Sequence, residues 1–390
     1  MKISNIITNN IYRQSFKAGV TSLYSDYDGT FMPYSREQIC GEDLAPSSPE
    51  VDIFNKMYFS LKQLFNTDKD KFNFIITTGR NRDSYSEISN KIKEHPYLNI
   101  LHPTKLITRD GAGVYKLQDS EEFVYENIKQ NFPKWDKKQI QTDVKEFLSK
   151  DQGIKCCSDF KAFMNNADNK NYTSCFISEC DQDDAVEILF TNIENNSNKE
   201  NEIKNYLESK NNKISSYTHK VNLNYENKSI NAVEVVLRPY CNNNQPLSKV
   251  KQIREDIKNN IQTNSNDLVV VAGNEFNDVT MLNPLNYLDL VGVNLPENAS
   301  YEALLREPSV IEGLKKLPLK IILVGNSSNL DFLRSMSKTL RDNGVDMIHL
   351  APCAQEDYVK TLKESMYEYS KQNDEYKFGL GYKVYFELLE

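Results

Sequence analysis

The sequence predicts an α/β protein in which a doubly wound parallel sheet is interrupted by a smaller α+β module. Three observations carry that expectation. Short apolar, β-prone runs each end in a polar, glycine-containing turn. Stretches with apolar residues at helical spacing alternate with those runs. Between Val114 and Ala232 the texture changes to long Asn/Lys/Glu segments with shorter candidate strands.

The first run, Thr21 to Ser25, enters Asp26-Tyr27-Asp28-Gly29-Thr30, and the second, Phe72 to Ile76, enters Thr77-Thr78-Gly79-Arg80. The third, Lys105 to Thr108, enters Arg109-Asp110-Gly111-Ala112. The fourth, Leu268 to Ala272, enters Gly273-Asn274-Glu275-Phe276-Asn277-Asp278. This last run is continuously apolar, as a strand covered on both faces by helices must be. Val51 to Phe65 and Ser248 to Ile261 carry helical apolar stripes. Strand, turn and helix in repetition give a parallel sheet, and ligands of such sheets bind at the carboxyl ends of the strands, where all four turns fall.

Candidate strands at Thr173 to Ser178 and Val233 to Leu237 belong to the intervening module. Leu288 to Val293 reads as a further core strand, and Leu319–Gly325, Leu330–Arg341 and Val345–Ala351 read as strand, helix, strand. The expected organisation is a tail (1–19), a Rossmann-like core (20–113 and 236–306), an inserted module (114–235) and a C-terminal α/β extension of the core (307–390).

Composition narrows the function classes. The 390 residues carry a formal net charge of −8 and no long Lys/Arg block, which argues against nucleic acid or an anionic membrane as partner. The 22 Tyr and 18 Phe supply core material that a disordered chain lacks. Seven cysteines make no disulfide framework, and Cys156-Cys157 with Cys175 and Cys180 match no standard zinc spacing. With no secretory h-region and no apolar window of membrane-spanning length, the expected location is cytoplasmic.

The chemistry begins at Asp26 and Asp28. Strand side chains alternate, so the two carboxylates share one side of a strand end and Tyr27 takes the other. At ~4 Å and an effective dielectric of ~20 their repulsion is of order 4 kcal/mol, which a divalent cation removes. An Asp-Gly turn whose carboxylates cap backbone amides is the competing explanation. Thr77-Thr78-Gly79-Arg80 offers hydroxyls and amides suited to phosphate oxygens, and Lys249 opens a helix from which it can add positive charge. The fourth turn adds Glu275, Asp278 and the carboxamides Asn274 and Asn277.

With these residues in this order, the chain resembles a phosphatase of the haloacid dehalogenase superfamily, from the branch with a large cap between the second and third motifs. Asp26 to Thr30 matches DxDGT, Thr78-Gly79-Arg80 matches TGR, Lys249 matches the motif-three lysine, and Gly273 to Asp278 is similar to GDxxND. Thr108 to Ala112 is similar to the NGA segment of Cof-type sugar phosphatases, and the cap is faintly similar to sucrose-phosphate phosphatase.

The resemblance implies phosphoryl transfer with Mg²⁺ as cofactor and a small phosphorylated metabolite, a sugar phosphate, as substrate. Asp26 is the implied nucleophile and Asp28 the acid/base, with Thr78 and Lys249 completing the catalytic set. Gly29, Thr30, Thr78, Gly79, Arg80 and Lys249 are the implied phosphate-binding residues. The implied metal ligands are Asp26, Asp28, Asn274, Glu275 and Asp278. One departure stands out, since the family has Asp at the position of Asn274. A carboxamide ligates Mg²⁺ without adding charge, and Glu275 is placed to restore it. A working phosphatase, a weakened phosphotransferase and a catalytically silent phosphosugar-binding protein are the readings this departure leaves open.

Overall fold

All four apolar runs become strands. The computed structural model describes residues 20–28, 30–31, 73–94, 103–117, 123–125, 135–178, 185–191, 198–225, 228–239, 249–263, 267–274, 276–296, 299–324 and 328–351. Its strands in chain order begin with β1 (Val20–Asp26), β2 (Asn73–Thr77), β3 (Lys105–Thr108), β4 (Gly113–Leu117) and β5 (Phe123–Tyr125). Next come β6 (Ile154–Cys156), β7 (Thr173–Ile177), β8 (Val186–Phe190), β9 (Ile214–Tyr225) and β10 (Lys228–Pro239). β11 (Leu268–Gly273), β12 (Leu319–Val324) and β13 (Ile348–Ala351) follow.

Eight of them form one sheet in the order β13-β12-β11-β1-β2-β3-β4-β5. β1 runs parallel to both β11 and β2, and the β2–β3, β11–β12 and β12–β13 pairs are parallel too. Val269 to Gly273 of β11 and Ile321 to Val324 of β12 are buried throughout, which is why these strands read as unbroken apolar runs. The fold is thus an α/β doubly wound sheet of the Rossmann-like kind.

Successive strands run outward from β1 in opposite directions, so β1 and β11 flank a topological switch point, where such sheets bind ligands. The helix Val250–Gln262 leads into β11 and buries Val250, Ile253 and Ile257 at the spacing of one helical face.

The chain divides into two compact units, one of Met1–Asp110, Tyr115–Val124 and Ser248–Glu390, the other of Gly111–Val114 and Tyr125–Leu247. The second holds a five-stranded sheet ordered β6-β7-β8-β10-β9, with β6 and β7 parallel and the other neighbours antiparallel. Alternation along β8 and β10 gives it two apolar faces. Ile188, Phe190, Val233, Val235 and Leu237 pack with the helices Lys137–Ser149 and Lys199–Ser209, and Trp135 joins them. Leu189, Ile230 and Ala232 pack with the helix Phe160–Asn166.

One expectation is corrected. Leu288 to Val293 is no strand, because Pro284–Val291 forms a 3₁₀ helix. Asn283 caps its start, Pro284 opens it, and Gly292 closes it at φ 81°. β4 and β5 pair into the eight-stranded sheet. Val51 to Phe65, read as a helix, lies outside the described residues. No helix among the described residues is long and apolar enough to cross a membrane.

Candidate active site

Three neighbouring strands end at one level. Asp26 of β1 stands opposite Thr77 of β2, and Ser25 stands opposite Ala272 of β11, which brings Asp26 beside the Gly273 turn. The main chain curls back after Asp26, where the Phe31 amide donates to the Asp26 carbonyl at 3.3 Å. Tyr27 points away from the carboxylates and is buried against Tyr85 and Phe31, as strand alternation requires.

Lys249 holds the centre. Its Nζ donates to Asp26 Oδ1 at 3.0 Å and to Asp278 Oδ1 at 2.5 Å, and the ammonium has no exposure to solvent. An ammonium at the start of a helix opposes the positive end of the helix dipole, so the two carboxylates are what make the position tolerable. The other oxygen of Asp278 accepts from the Asn274 amide at 3.0 Å, closing the fourth turn on itself. Gly273 is required beneath it, because a Cβ there would lie 2.7 Å from that of Asp278.

Asp28 takes a different partner. Arg80 grips it with both arms of its guanidinium, Nε to Oδ2 at 2.7 Å and Nη2 to Oδ1 at 3.1 Å. Arg80, expected among the phosphate-binding groups, is therefore engaged with the acid/base candidate. Its turn is propped from β3, where Arg109 donates its amide to the Arg80 carbonyl and its Nη1 to the Gly79 carbonyl, both at 3.1 Å. Arg109 does so at φ 45°, a left-handed conformation unusual for a side-chain-bearing residue. Sequence reasoning missed this role, although Arg109 lies in the quoted Thr108–Ala112 segment.

Thr77 and Thr78 separate cleanly. The Thr77 hydroxyl donates to Met281 Sδ at 3.6 Å within the core, whereas the Thr78 hydroxyl accepts from the Arg80 amide at 3.1 Å inside the turn. Thr30 donates to the Asn274 carboxamide oxygen at 3.1 Å, joining the first and fourth turns. Asp26, Asp28, Thr30, Thr78, Arg80, Lys249, Asn274 and Asp278 thus share one strand-end cluster; Gly29 and Glu275 lie outside the described residues.

Burial, followed by the charge of Asp278, holds the Asp26 carboxyl well above the usual carboxylate range despite Lys249. Burial also raises Asp28, against the opposing pull of Arg80. Asp26, Asp28 and Asp278 are paired here with Lys249 and Arg80, and carboxylate and carboxamide oxygens are donors that suit a hard cation such as Mg²⁺. No group of three or more His, Cys, Asp or Glu side chains among the described residues is arranged to hold a metal, because Asp278 is turned to Lys249 and Asp28 to Arg80.

Known structures resemble this chain only distantly. A haloacid dehalogenase-like hydrolase protein (yhjK) from Bacillus subtilis aligns at 14% identity and a TM-score of 0.35, covering 83% of this chain and 94% of that one. The C-terminal domain of the trehalose synthase regulatory protein of Candida albicans aligns at 10% identity and a TM-score of 0.36, over 96% and 95%. IMP-nucleotidase of Plasmodium falciparum aligns at 12% identity and a TM-score of 0.32, over 67% and 60%. No family model and no curated protein matches the sequence.

Proposed function

We propose that the protein is an Mg²⁺-dependent phosphomonoesterase acting on a small phosphorylated metabolite, a sugar phosphate, through an aspartyl-phosphate intermediate. The observation that carries this reading is the buried Asp26–Lys249–Asp278 chain at the ends of β1 and β11, with the Asp28–Arg80 fork two residues further along. A carboxylate at a strand end beside a fixed ammonium and a second, separately held acid is the equipment of a two-step transfer.

In the first step an Asp26 oxygen attacks phosphorus, and Asp28 delivers a proton to the departing alkoxide oxygen. In the second, Asp28 takes a proton from water as that water attacks the same phosphorus and frees Asp26. The Lys249 ammonium offsets negative charge gathering on the phosphoryl oxygens, and the Thr78 hydroxyl donates to them. Arg80 orients Asp28 and acts through it. Asp26, the Asp28 main-chain carbonyl and the Asn274 carboxamide would hold Mg²⁺, with Glu275 a candidate for added charge. When bound, the ion supplies Lewis-acid neutralisation of the phosphoryl group.

The test is a screen of phosphorylated metabolites with Mg²⁺, read as phosphate release, on the native chain and Asp26→Asn. Turnover of at least one ester, lost in Asp26→Asn, is expected. Retention of about a tenth of the rate would remove Asp26 as the nucleophile, since nothing else nearby can replace a covalent step of this difficulty. Asn274 favours a second reading, a catalytically silent phosphosugar-binding protein. Ligand binding by calorimetry with no phosphate release across the screen would select it.

A further inference from the structure

The cysteines of the second unit occupy a place that the phosphatase reading does not use. β6 is the edge strand of the five-stranded sheet and pairs in parallel with β7, in a register that sets Cys156 directly beside Cys175. The two sulfurs lie 3.0 Å apart, with the Cys175 thiol donating to Cys156. Cys156 is exposed on the edge, whereas Cys175 is fully buried in the core beneath it. Directly paired residues on strands about 4.8 Å apart fall within the Cα spacing a disulfide needs, about 4.4 to 6.8 Å.

From this geometry we infer that Cys156 and Cys175 form a redox-active dithiol, with Cys156 attacking a low-molecular-weight disulfide and Cys175 resolving the product. The Cys156 thiolate attacks one sulfur of the small disulfide, breaking its S–S bond and expelling one small thiolate. Cys175 then gives up its proton and attacks Cys156 Sγ, forming the intrachain disulfide and expelling the second small thiol. Two protein thiols lose two electrons in all, and one small disulfide gains them.

The division of labour follows from position. Cys156 meets solvent, and the hydrogen bond from Cys175, aided by the Lys145 ammonium, brings its thiol down to about 7 against the opposing effect of burial. Cys175 is pushed up by donating that bond and by burial, as suits a resolving thiol that acts only within the chain. The adjacent Cys157 makes a poor competitor. Its sulfur turns to the Lys155 carbonyl at 3.8 Å, and burial raises its thiol.

The experiment incubates the reduced full chain in glutathione buffers of increasing oxidised fraction. Samples are quenched in acid, free thiols are alkylated, and tryptic peptides are mapped by mass spectrometry. Cys156 and Cys157 fall on one peptide between Lys155 and Lys161, so Cys157→Ser is run beside the native chain. The expected result is a Cys156–Cys175 linkage in both, reversed by dithiothreitol and lost in Cys156→Ser. Cys175→Ala should instead leave Cys156 carrying a persistent glutathione. Should that core variant fail to fold, the linkage map of Cys157→Ser still decides. A lasting mixed disulfide on Cys156 in the native chain overturns the inference. So does a bond from Cys156 to any cysteine other than Cys175, or no reaction of Cys156 in fully oxidised glutathione.

Discussion

Replacing Lys249 by Met keeps most of the side chain's volume and removes the charge that two buried carboxylates share. The ammonium lies 3.0 Å from Asp26 and 2.5 Å from Asp278. At an effective dielectric of ~20 each contact is worth about 5 to 7 kcal/mol of gross attraction. Two oxygens bonded to one nitrogen are at most ~5.5 Å apart, so the carboxylates left behind repel by ~3 kcal/mol or more. Against these stands the desolvation of the ammonium, several kcal/mol, which the variant recovers.

The net loss for breaking such a buried pair is about 3 to 5 kcal/mol, a large share of a typical domain's 5 to 15. It must depend on pH. The Asp26 carboxyl is raised in the folded state, so its contribution to stability is full below the unfolded carboxylate value and is lost as pH rises through the folded one. Without Lys249 that folded value climbs further, and the deficit of the variant grows with pH and shrinks on acidification. Urea unfolding at pH 5 and pH 8, with slopes compared to check that the transition is unchanged, reads this directly. A loss below about 1 kcal/mol at pH 8, or one that grows towards pH 5, would refute the reasoning.

Asp26→Asn should raise the urea midpoint at pH 7, because the neutral carboxamide escapes the burial and repulsion that lift the native carboxyl; the gain should fade towards pH 4, and a lower midpoint at pH 7 would count against that account. Arg80→Gln removes the group that pulls Asp28 down, so the Asp28-dependent limb of the pH–rate profile should move to higher pH, and an unmoved limb would end the fork's role. Gly273→Ala puts a methyl where the Asp278 side chain lies and should displace it from Lys249. A stability loss of about 1 to 3 kcal/mol in urea is expected, as for other overpacked sites. Asn274→Asp adds a charge to the fourth turn and should tighten Mg²⁺ in calorimetry, and unchanged affinity would place the ion elsewhere.

Much of this was legible in the sequence because it rests on local pattern. β11 and β12 announce themselves as unbroken apolar runs, and burial of Val269 to Gly273 is the physical reason. The first turn holds Asp26 and Asp28, and the fourth holds Asp278, at strand ends, where alternation and glycine placement put them. What the sequence left unread has more than one source. Leu288 to Val293 is a short apolar run, which periodicity cannot divide between strand and helix; the arbiters were the caps, Asn283, Pro284 and Gly292. The strands β4 and β5 carry no mark of which sheet they join. That Arg80 grips Asp28 shows only once the first two turns are brought together. The meeting of Cys156 and Cys175 depends on a parallel register that no spacing reveals.

The sheet order has a consequence for synthesis at the ribosome. β1 emerges first among the described strands, yet one of its two neighbours, β11, is encoded more than two hundred residues later, and the Asp26–Lys249 contact spans 223 positions. The second unit is almost continuous in the chain, from Tyr125 to Leu247, and completes its own sheet before β11 exists. A nascent chain therefore carries β1 with its β11-facing edge unpaired throughout that interval, an exposed template for the wrong partner. Non-local pairing of this kind is slow to form, so a chain stalled or truncated before residue 268 should be the aggregating species, while the second unit within it is already folded.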